Sequence, residues 1–293
     1  MSSVLVQLVV DGLAMGLVYV LLASGFNLIL GISRILFIAY GEFYMLGAWI
    51  AWGLMVPMKL PFLLAIAVST TAVGVLGSIV YQIIFSHIQF KEQQFLTNIV
   101  AAIGLMMLMS QAAFYVFGTE SRGIPSVIRG MLELGVVRIS YEKIVLIVLT
   151  LTVLMGLHLL LQKTKIGRAM RAVSFNPDVA SLQGINANLT YLGTMAVGCA
   201  LAGFAGGVMA PVFAVSPKMG GITLLIILVV MLGGVGSMPG AIFSGLILGL
   251  TLSFGQYFIG SGIAQIMFFA VIAVILFFRP GGLFGEPQDI PLS

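Results

Sequence analysis

The stretch LTYLGTMAVGCALAGFAGGVMAPVF runs from residue 189 to residue 213 without a charged side chain. A run of about 18 or more apolar residues is long enough to cross the hydrocarbon core of a bilayer as a helix. Runs of similar length recur along the chain, at residues 4–30, 35–55, 61–84, 95–117, 142–161, 189–213, 220–236, 239–257 and 262–278. The pattern predicts an all-α polytopic membrane protein with about eight to ten transmembrane helices, some of them broken or re-entrant.

The composition supports the same class. Hydrophobic residues make up 60% of the 293 residues and charged residues only 8%, and the mean hydropathy is +1.19. The longest polar connections, near residues 118–141 and 162–188, are too short for separate domains, so we expect one transmembrane domain over residues 1–293. The net charge of +4 is explained by basic residues at helix ends, and we expect no nucleic-acid partner. The single Cys199 excludes an intrachain disulfide.

Lysine and arginine near helix ends predict the orientation in the membrane. The loop at 162–188 carries four basic residues and one acid, Asp178, so it is expected to be cytoplasmic. The loop at 118–141 has a weaker bias and is expected to be external. Strict alternation then puts the N-terminus outside, whereas a broken helix near residues 31–42 would reverse it.

Small residues recur at helical spacing, as in Cys199, Gly203 and Gly207, which is typical of close helix packing in lipid. Glycine-rich elements occur in both halves, YGEFYMLGAW at 40–49 and LGGVGSMPGAIFSG at 232–245, and are compatible with an internal repeat. In the second element, three glycines leave the backbone free to bend, which fits either a hinge or a tight turn. These glycines are Gly233, Gly234 and Gly236.

Between two apolar runs lies the polar stretch GRAMRAVSFNPDVASLQGIN, residues 167–186. Residues 168–174 can continue a cytoplasmic helix. Asn176 is a favoured N-cap, Pro177 suits the first helical position, Asp178 suits the positive helix start, and Gly184 is a natural stop. The spacing predicts a short helix of about seven residues. So short a helix outside the bilayer needs a surface to pack against, on its own chain or on a partner.

This polar stretch resembles the coupling loop of permease subunits in the high-affinity branched-chain amino acid ABC transporter family, the hydrophobic amino acid uptake family. The resemblance lies in residues 167–172, in Asp178 and Ala180, and in residues 184–186. Three further blocks agree and follow the family's order: GLVYVLLASGFNLILGI at 16–32, MLGGVGSMPGAIFSGLILG at 231–249 and FRPGGLFGE at 278–286. The resemblance implies a type II ABC importer-like permease with a short cytoplasmic coupling helix.

The resemblance also implies a mechanism and a set of partners. ATP is hydrolysed on two separate ABC ATPase subunits, which carry ATP and Mg and push on the coupling helix. A second, related permease chain and an external solute-binding protein complete the transporter in the lipid membrane. The sequence has no Gly-x-x-x-x-Gly-Lys-Ser/Thr phosphate loop, so we expect no ATPase site, no enzyme activity and no bound cofactor in this chain.

The residues expected to couple this chain to the ATPase share the loop at 162–188 and its predicted short helix. They are Gly167, Arg168, Arg171, Asn176, Pro177, Asp178, Val179, Ala180, Leu182 and Gly184. For Arg168 and Arg171 the alternative is that each only anchors the topology as a cytoplasmic cation. For the short helix the alternative is that it packs only against its own chain.

Glu42 lies in FIAYGEFYMLGAWIAW, residues 37–52, among apolar residues. A carboxylate at the bilayer centre costs about 2.5–3.5 kcal/mol on insertion scales, so Glu42 is expected to face a cavity or a partner. The alternative is an interfacial glutamate that accepts hydrogen bonds at a helix start. The block resembles the family's Asn-Phe-Ala-His-Gly-Glu motif, but Phe37 and Tyr40 replace the asparagine and the histidine. If these side chains touch solute, the pathway differs from that of the family.

The translocation pathway is predicted to include Glu42, Tyr40, Gly41, Asn27 and Asn98. Buried amides such as Asn27 and Asn98 line a passage or, more often, bond across helices. The two histidines have no carboxylate or cysteine at ligand spacing, so we expect no metal site. No nucleophile, base and orienting group occur together, so we expect no catalytic residue.

These observations predict a permease subunit of an ATP-driven importer for branched-chain or related amino acids in the bacterial inner membrane. The alternative is a proton-coupled secondary transporter of a small polar solute in which Glu42 carries the proton. A membrane-embedded enzyme would need a polar catalytic cluster that the sequence lacks. A pure scaffold would not lose transport on substitution of Glu42.

Overall fold

The structure, a computed structural model, describes residues 2–89, 94–124, 130–134, 137–279 and 281–284. In this part the chain forms twelve α-helices and one β-hairpin. The helices are α1 (Ser2–Ser33), α2 (Tyr40–Met55), α3 (Phe62–Val80), α4 (Ser86–Ile88), α5 (Gln94–Phe117), α6 (Tyr141–Lys163), α7 (Lys165–Phe175), α8 (Pro177–Leu182), α9 (Ala187–Met209), α10 (Thr223–Gly233), α11 (Met238–Phe258) and α12 (Ser261–Phe278). A π-helical turn, Tyr81–Phe85, joins α3 to α4, and a 3₁₀ helix, Pro217–Ile222, leads into α10.

The predicted polytopic helical class is confirmed. Six helical segments of the described chain are long and apolar enough to cross a membrane: Val4–Ser33, Phe62–Ile88, Gln94–Phe117, Tyr141–Lys163, Ala187–Met209 and Met238–Phe258. Two shorter apolar segments, Pro217–Gly233 and Gly262–Phe278, add to them. Together with α2, these segments coincide with the nine apolar runs expected from the sequence, and the chain is a multi-pass membrane protein.

Two landmarks define the ends of the bundle. The strands β1 (Met131–Leu134) and β2 (Val137–Ser140) form an antiparallel hairpin between α5 and α6, and we call this side the hairpin end. The helices α7 and α8 lie at the opposite terminus of α6, and we call that side the α7–α8 end. The hairpin belongs to the loop that the charge pattern predicts to be external.

Helix α1 spans the bundle between these two ends. Near its start, Asp11 accepts a hydrogen bond of 2.7 Å from Nζ of Lys143, in the first turn of α6. Near its other end, Asn27 bonds to the turn at 236–237. The start of α1 therefore lies at the hairpin end, as strict alternation predicts.

Close approach at glycines holds the long helices together. A Cβ on Gly249 would overlap the backbone of Gly16, and one on Gly203 would lie 2.6 Å from Cβ of Val73. Helices α1 and α11 pack in this way, and so do α3 and α9. The small-residue spacing read from the sequence as a packing signal is confirmed at these positions.

The break expected near residues 31–42 is present, but it does not reverse the topology. Residues 34–39 are not helical, and α2 begins at Tyr40 inside the bundle. The Tyr40 hydroxyl donates to the carbonyl of Gly198, midway along α9, over 3.1 Å. From there α2 continues to the hairpin end, where Trp49 stacks on Phe117 with ring centroids 4.1 Å apart. The non-helical segment and α2 together make one crossing.

The two halves of the bundle have the same plan in opposite directions. In each half a long helix is followed by a short helix that begins within the bundle and then by another long helix: α1, α2 and α3 in one, α9, α10 and α11 in the other. The third helix of each half packs on the first helix of the other half, because α3 contacts α9 and α11 contacts α1. This arrangement is that of an inverted repeat, in which ligand sites lie where the short helices meet.

Candidate functional site

The polar stretch of residues 167–186 forms two short helices rather than an extension of α6. Helix α6 stops at Lys163, and Thr164 caps a new helix by accepting a hydrogen bond of 3.1 Å from the backbone N–H of Gly167. A Cβ at Gly167 would overlap the carbonyl oxygens of Leu160 and Leu161. The missing side chain therefore lets α7 fold back against the end of α6.

The predicted short helix is confirmed as α8, with six residues. Oδ1 of Asn176 accepts hydrogen bonds from the backbone N–H groups of Asp178, at 2.9 Å, and Val179, at 3.2 Å. Pro177 occupies the first turn, and Gly184 ends the motif with φ of +80°. The N-cap, the proline and the stop signal thus act as the sequence predicts.

Helices α7 and α8 have an inner face and an outer face. The inner residues Met170, Val173 and Ala180 are buried against the bundle. Three apolar side chains point away from it: Phe175 is 85% exposed, Val179 is 51% exposed and Leu182 is 87% exposed. We call Phe175, Val179 and Leu182 the outer apolar trio. The short helices are therefore anchored on one side and leave a second apolar surface without a partner in the described chain.

The two arginines of the stretch have different surroundings. Nη1 of Arg171 donates to the carbonyl oxygen of Leu161, so this cation satisfies a carbonyl at the end of α6. Arg168 is exposed. Arg171 therefore connects α7 to α6, a role that the sequence did not indicate.

A second site lies where α2 and α10 begin. Glu42 is only 4% exposed, and its Oε2 has no hydrogen-bond partner in the described chain. The backbone N–H of Gly41 donates to Oγ1 of Thr223 over 2.9 Å, which joins the first turn of α2 to the start of α10. A Cβ at Gly220, in the 3₁₀ helix, would overlap the Glu42 carboxylate. The structure thus places the Glu42 side chain inside the bundle, at the start of α2.

The structure brings together only part of the predicted pathway. Tyr40, Gly41 and Glu42 occupy the first turn of α2. Asn27 lies toward the α7–α8 end, where its Nδ2 donates to the Ser237 carbonyl over 3.0 Å and its Oδ1 accepts from Gly236 over 2.7 Å. Asn98 is buried early in α5, and its Oδ1 lacks a partner in the described chain. Both polar groups of the Asn27 amide are used in bonds within the chain.

The predicted hinge glycines form a tight turn between α10 and α11. Gly233 ends α10, and Gly234 and Gly236 have φ of +97° and +83°. The segment at 281–284 braces this turn, because the N–H groups of Leu283 and Phe284 donate to the carbonyls of Leu232, at 2.8 Å, and Gly233, at 3.1 Å. The structure thus shows a tight turn at these glycines, and the hinge stays a prediction. Pro280, Gly285 and Glu286 of the closing block lie outside the described residues.

Sequence reasoning missed Gly220 and Thr223, which complete the surroundings of Glu42. The pair Gly220-Gly221 was the available signal, but glycine pairs are too frequent in this chain to single one out. It also missed Arg122, whose guanidinium lies 5.6 Å from the ring centroid of Trp49 and 4.8 Å from that of Trp52 at the hairpin end. Among the described residues, no group of three or more His, Cys, Asp or Glu side chains is placed to hold a metal ion.

The family model for the permease component of the branched-chain amino acid transport system matches residues 8–278. The chain is 30% identical to the permease protein BraD of the high-affinity branched-chain amino acid transport system of Pseudomonas aeruginosa, over 96% of each chain. It is 25% identical to the corresponding permease protein LivH of Escherichia coli, again over 96% of each chain.

A solved structure has a similar fold. It is a chain of PsaBC from Streptococcus pneumoniae in complex with Fab, with a TM-score of 0.50 and 14% sequence identity. The similarity covers 92% of this chain and 90% of that one. At this identity the comparison concerns the fold alone.

Proposed function

Because this chain belongs to the family of permease components of branched-chain amino acid transport systems, we propose that it is the membrane-spanning subunit of an ATP-driven importer. The importer carries branched-chain or related amino acids across the bacterial inner membrane. This chain forms the pathway with a second, related permease chain. Two ATPase subunits, which hold ATP and Mg, complete the transporter on its cytoplasmic side, and this chain contacts them through its α7–α8 end. An external solute-binding protein delivers the solute at the hairpin end, and this chain binds no cofactor.

The observation that carries the proposal is the outer apolar trio on α7 and α8. Phe175 and Leu182 are 85% and 87% exposed although the helices that bear them are well capped and anchored. Basic residues lie where these helices begin, with Lys163 at the end of α6 and Lys165 at the start of α7, so the trio lies outside the lipid. Exposed apolar surface in water marks an interaction site, and a groove on an ATPase subunit would bury it.

The contacts of α7 connect the surface that the ATPase would displace to the translocation pathway. Helix α7 packs against α1 and α9, and Arg171 connects it to the end of α6. Helix α9 in turn accepts the hydrogen bond of the Tyr40 hydroxyl at Gly198, and Tyr40 precedes Glu42 by two residues in α2. A displacement of α7 and α8 therefore acts on the helices that surround the buried carboxylate.

A proton-coupled transporter is the second candidate, because Glu42 is a buried carboxylate with an unpartnered oxygen in the described chain. The two candidates differ in what drives uptake. The complex should be purified with its associated subunits and reconstituted with its binding protein in proteoliposomes. We expect uptake to require ATP on the side of the membrane where the ATPase subunits lie. Uptake driven by a pH gradient alone, with no ATPase subunit present, would refute the importer.

Deletion of residues 177–183 tests the coupling site in the same system. We expect the deletion to abolish solute-stimulated ATP hydrolysis and uptake while the chain still inserts into the membrane. The matched control is Gln183→Ala, which keeps α8 and changes only the residue after it. Normal solute-stimulated ATP hydrolysis in the deletion variant would contradict the assignment of α8 as the coupling helix.

A further inference from the structure

We propose that the Glu42 carboxylate binds the ammonium group of the amino-acid solute as the solute crosses the centre of the bundle. This inference rests on the proposed function and names the chemical group that the pathway recognises. It concerns the place where α2 and the 3₁₀ helix before α10 meet, and it assigns the buried carboxylate there a ligand of defined chemistry: a primary ammonium.

The first support is the unused hydrogen-bonding capacity of Glu42. Only 4% of the residue is exposed, and Oε2 has no donor in the described chain. Nearby polar groups are already paired with one another. The N–H of Gly41 donates to Thr223, and the Thr223 hydroxyl donates to the Gly220 carbonyl over 3.0 Å. Buried polar atoms in native proteins are nearly always satisfied, so an unpartnered carboxylate oxygen indicates a missing donor.

The second support is the charge of the surroundings. Glu42 is the third residue of α2, and α10 begins at Thr223, which bonds to the same turn. Helix N-termini carry partial positive charge, and acidic side chains are stabilising near them. An ionised carboxylate in a bundle interior needs a cation as partner. Of the groups on an amino-acid solute, the ammonium is the cation, and it also brings the N–H donors that Oε2 lacks.

The third support is the way in which the carboxylate is covered. Gly220 lies so close that any side chain there would overlap the carboxylate, whereas a Cβ on its neighbour Gly221 would meet nothing within 4 Å. At Gly220 the 3₁₀ helix 217–222 therefore covers Glu42 with backbone atoms. The ammonium can reach Oε2 only when this helix moves away from α2, as alternation between an open and a closed pathway requires.

The test compares two solutes that differ in one group. Leucine carries the ammonium, and leucic acid carries a hydroxyl in its place. Binding of both, radiolabelled, is measured on the detergent-solubilised complex with its ATPase subunits and without the solute-binding protein, up to about 10 mM. We expect the wild-type complex to bind leucine about 10–100-fold more tightly than leucic acid, as a charged hydrogen bond predicts. Glu42→Gln should remove that preference by weakening leucine binding alone.

Two variants make the result specific. Glu120→Gln makes the same chemical change at an exposed carboxylate beyond the end of α5 and should leave the preference intact. Glu42→Asp keeps the charge and should retain part of the preference for leucine. This variant still tests the proposal if Glu42→Gln fails to fold. Copurification of the ATPase subunits with each variant reports on assembly, so loss of the importer complex and loss of ammonium recognition are read separately.

Three results would overturn the proposal. The first is equal binding of leucine and leucic acid, or no saturable leucine binding, by the wild-type complex. The second is an equal loss of both ligands in an assembled Glu42→Gln complex, which would make Glu42 a structural residue. The third is a wrong pattern among assembled Glu42 variants. Either Glu42→Gln keeps the full preference for leucine, or Glu42→Gln and Glu42→Asp both lose the preference completely.

Discussion

Replacement of Leu182 by alanine is expected to weaken the binding of the ATPase subunits about 30-fold. Leu182 is 87% exposed on α8, so nearly all of its side chain is available for burial in a partner. Alanine lacks three of its carbons, and burial of each is worth about 0.8 kcal/mol. Multiplied by the exposed fraction, the loss is about 2 kcal/mol, and each 1.4 kcal/mol is about tenfold in affinity. Partial burial in the complex would reduce the effect in proportion.

The assay is the dissociation constant of purified ATPase subunits for the detergent-solubilised permease, measured by titration of a fluorescent label. Leu63→Ala is the matched control, because Leu63 is 61% exposed but lies at the start of α3, at the hairpin end. The control should bind the ATPase subunits like the unmodified chain. Equal affinities for the Leu182 variant and the unmodified chain would show that α8 does not dock the ATPase. Equal losses in both variants would indicate a general defect of the permease.

Three further substitutions test the packing around the two sites. Gly167→Ala should destabilise the chain by about 1–3 kcal/mol, because the new Cβ overlaps two carbonyl oxygens at the end of α6. Asn27→Ala should cost about 1–3 kcal/mol, because it removes two hydrogen bonds to the 236–237 turn and leaves the Gly236 N–H unpaired. Gly220→Ala should lower uptake at least about tenfold without loss of the ATPase subunits, because its Cβ displaces the Glu42 carboxylate. Thermal unfolding in detergent measures the first two changes, and uptake in proteoliposomes measures the third.

The chain offers a matched control for each of these changes. A Cβ added to Gly156 or Gly221 would meet nothing within 4 Å, so alanine at either position should be tolerated. Gln111 is exposed on α5, so Gln111→Ala should change stability little compared with Asn27→Ala. If Gly221→Ala lowered uptake as much as Gly220→Ala, the effect would not come from contact with Glu42. If Gly167→Ala left the unfolding temperature unchanged, α7 would have room to move away from α6.

The proposed mechanism requires the bundle to open, and the contact between α2 and α10 is the place where it can do so. The side chain of Thr223 joins the first turn of α2 to α10, and Gly41 and Gly220 bring the two elements into contact through backbone atoms. Helices α2 and α10 contact each other only around this turn, whereas α1 and α11 contact each other along much of their length. The two short helices are therefore better placed to separate than α1 and α11.

The sequence by itself determined the membrane class, the nine apolar segments and the capped short helix. Each of these depends on residues close together in the chain. An apolar run must cross the bilayer with its backbone bonds satisfied internally, and Asn176 caps α8 through N–H groups two and three residues away. Such local signals can be read from the sequence because they do not depend on how the rest of the chain packs.

Only the tertiary structure decided what Glu42, Asn27 and Arg171 contact. Gly41 and Thr223 are 182 residues apart in sequence, and Asn27 and Gly236 are 209 apart. Their pairing depends on which helices pack together and at what height along the bundle. Apolar composition does not specify these helix pairs, because every lipid-facing surface is equally apolar. Close approach of small residues fixes the helix pairs. The carboxylate under Gly220 is a consequence of that packing, and no local pattern of residues encodes it.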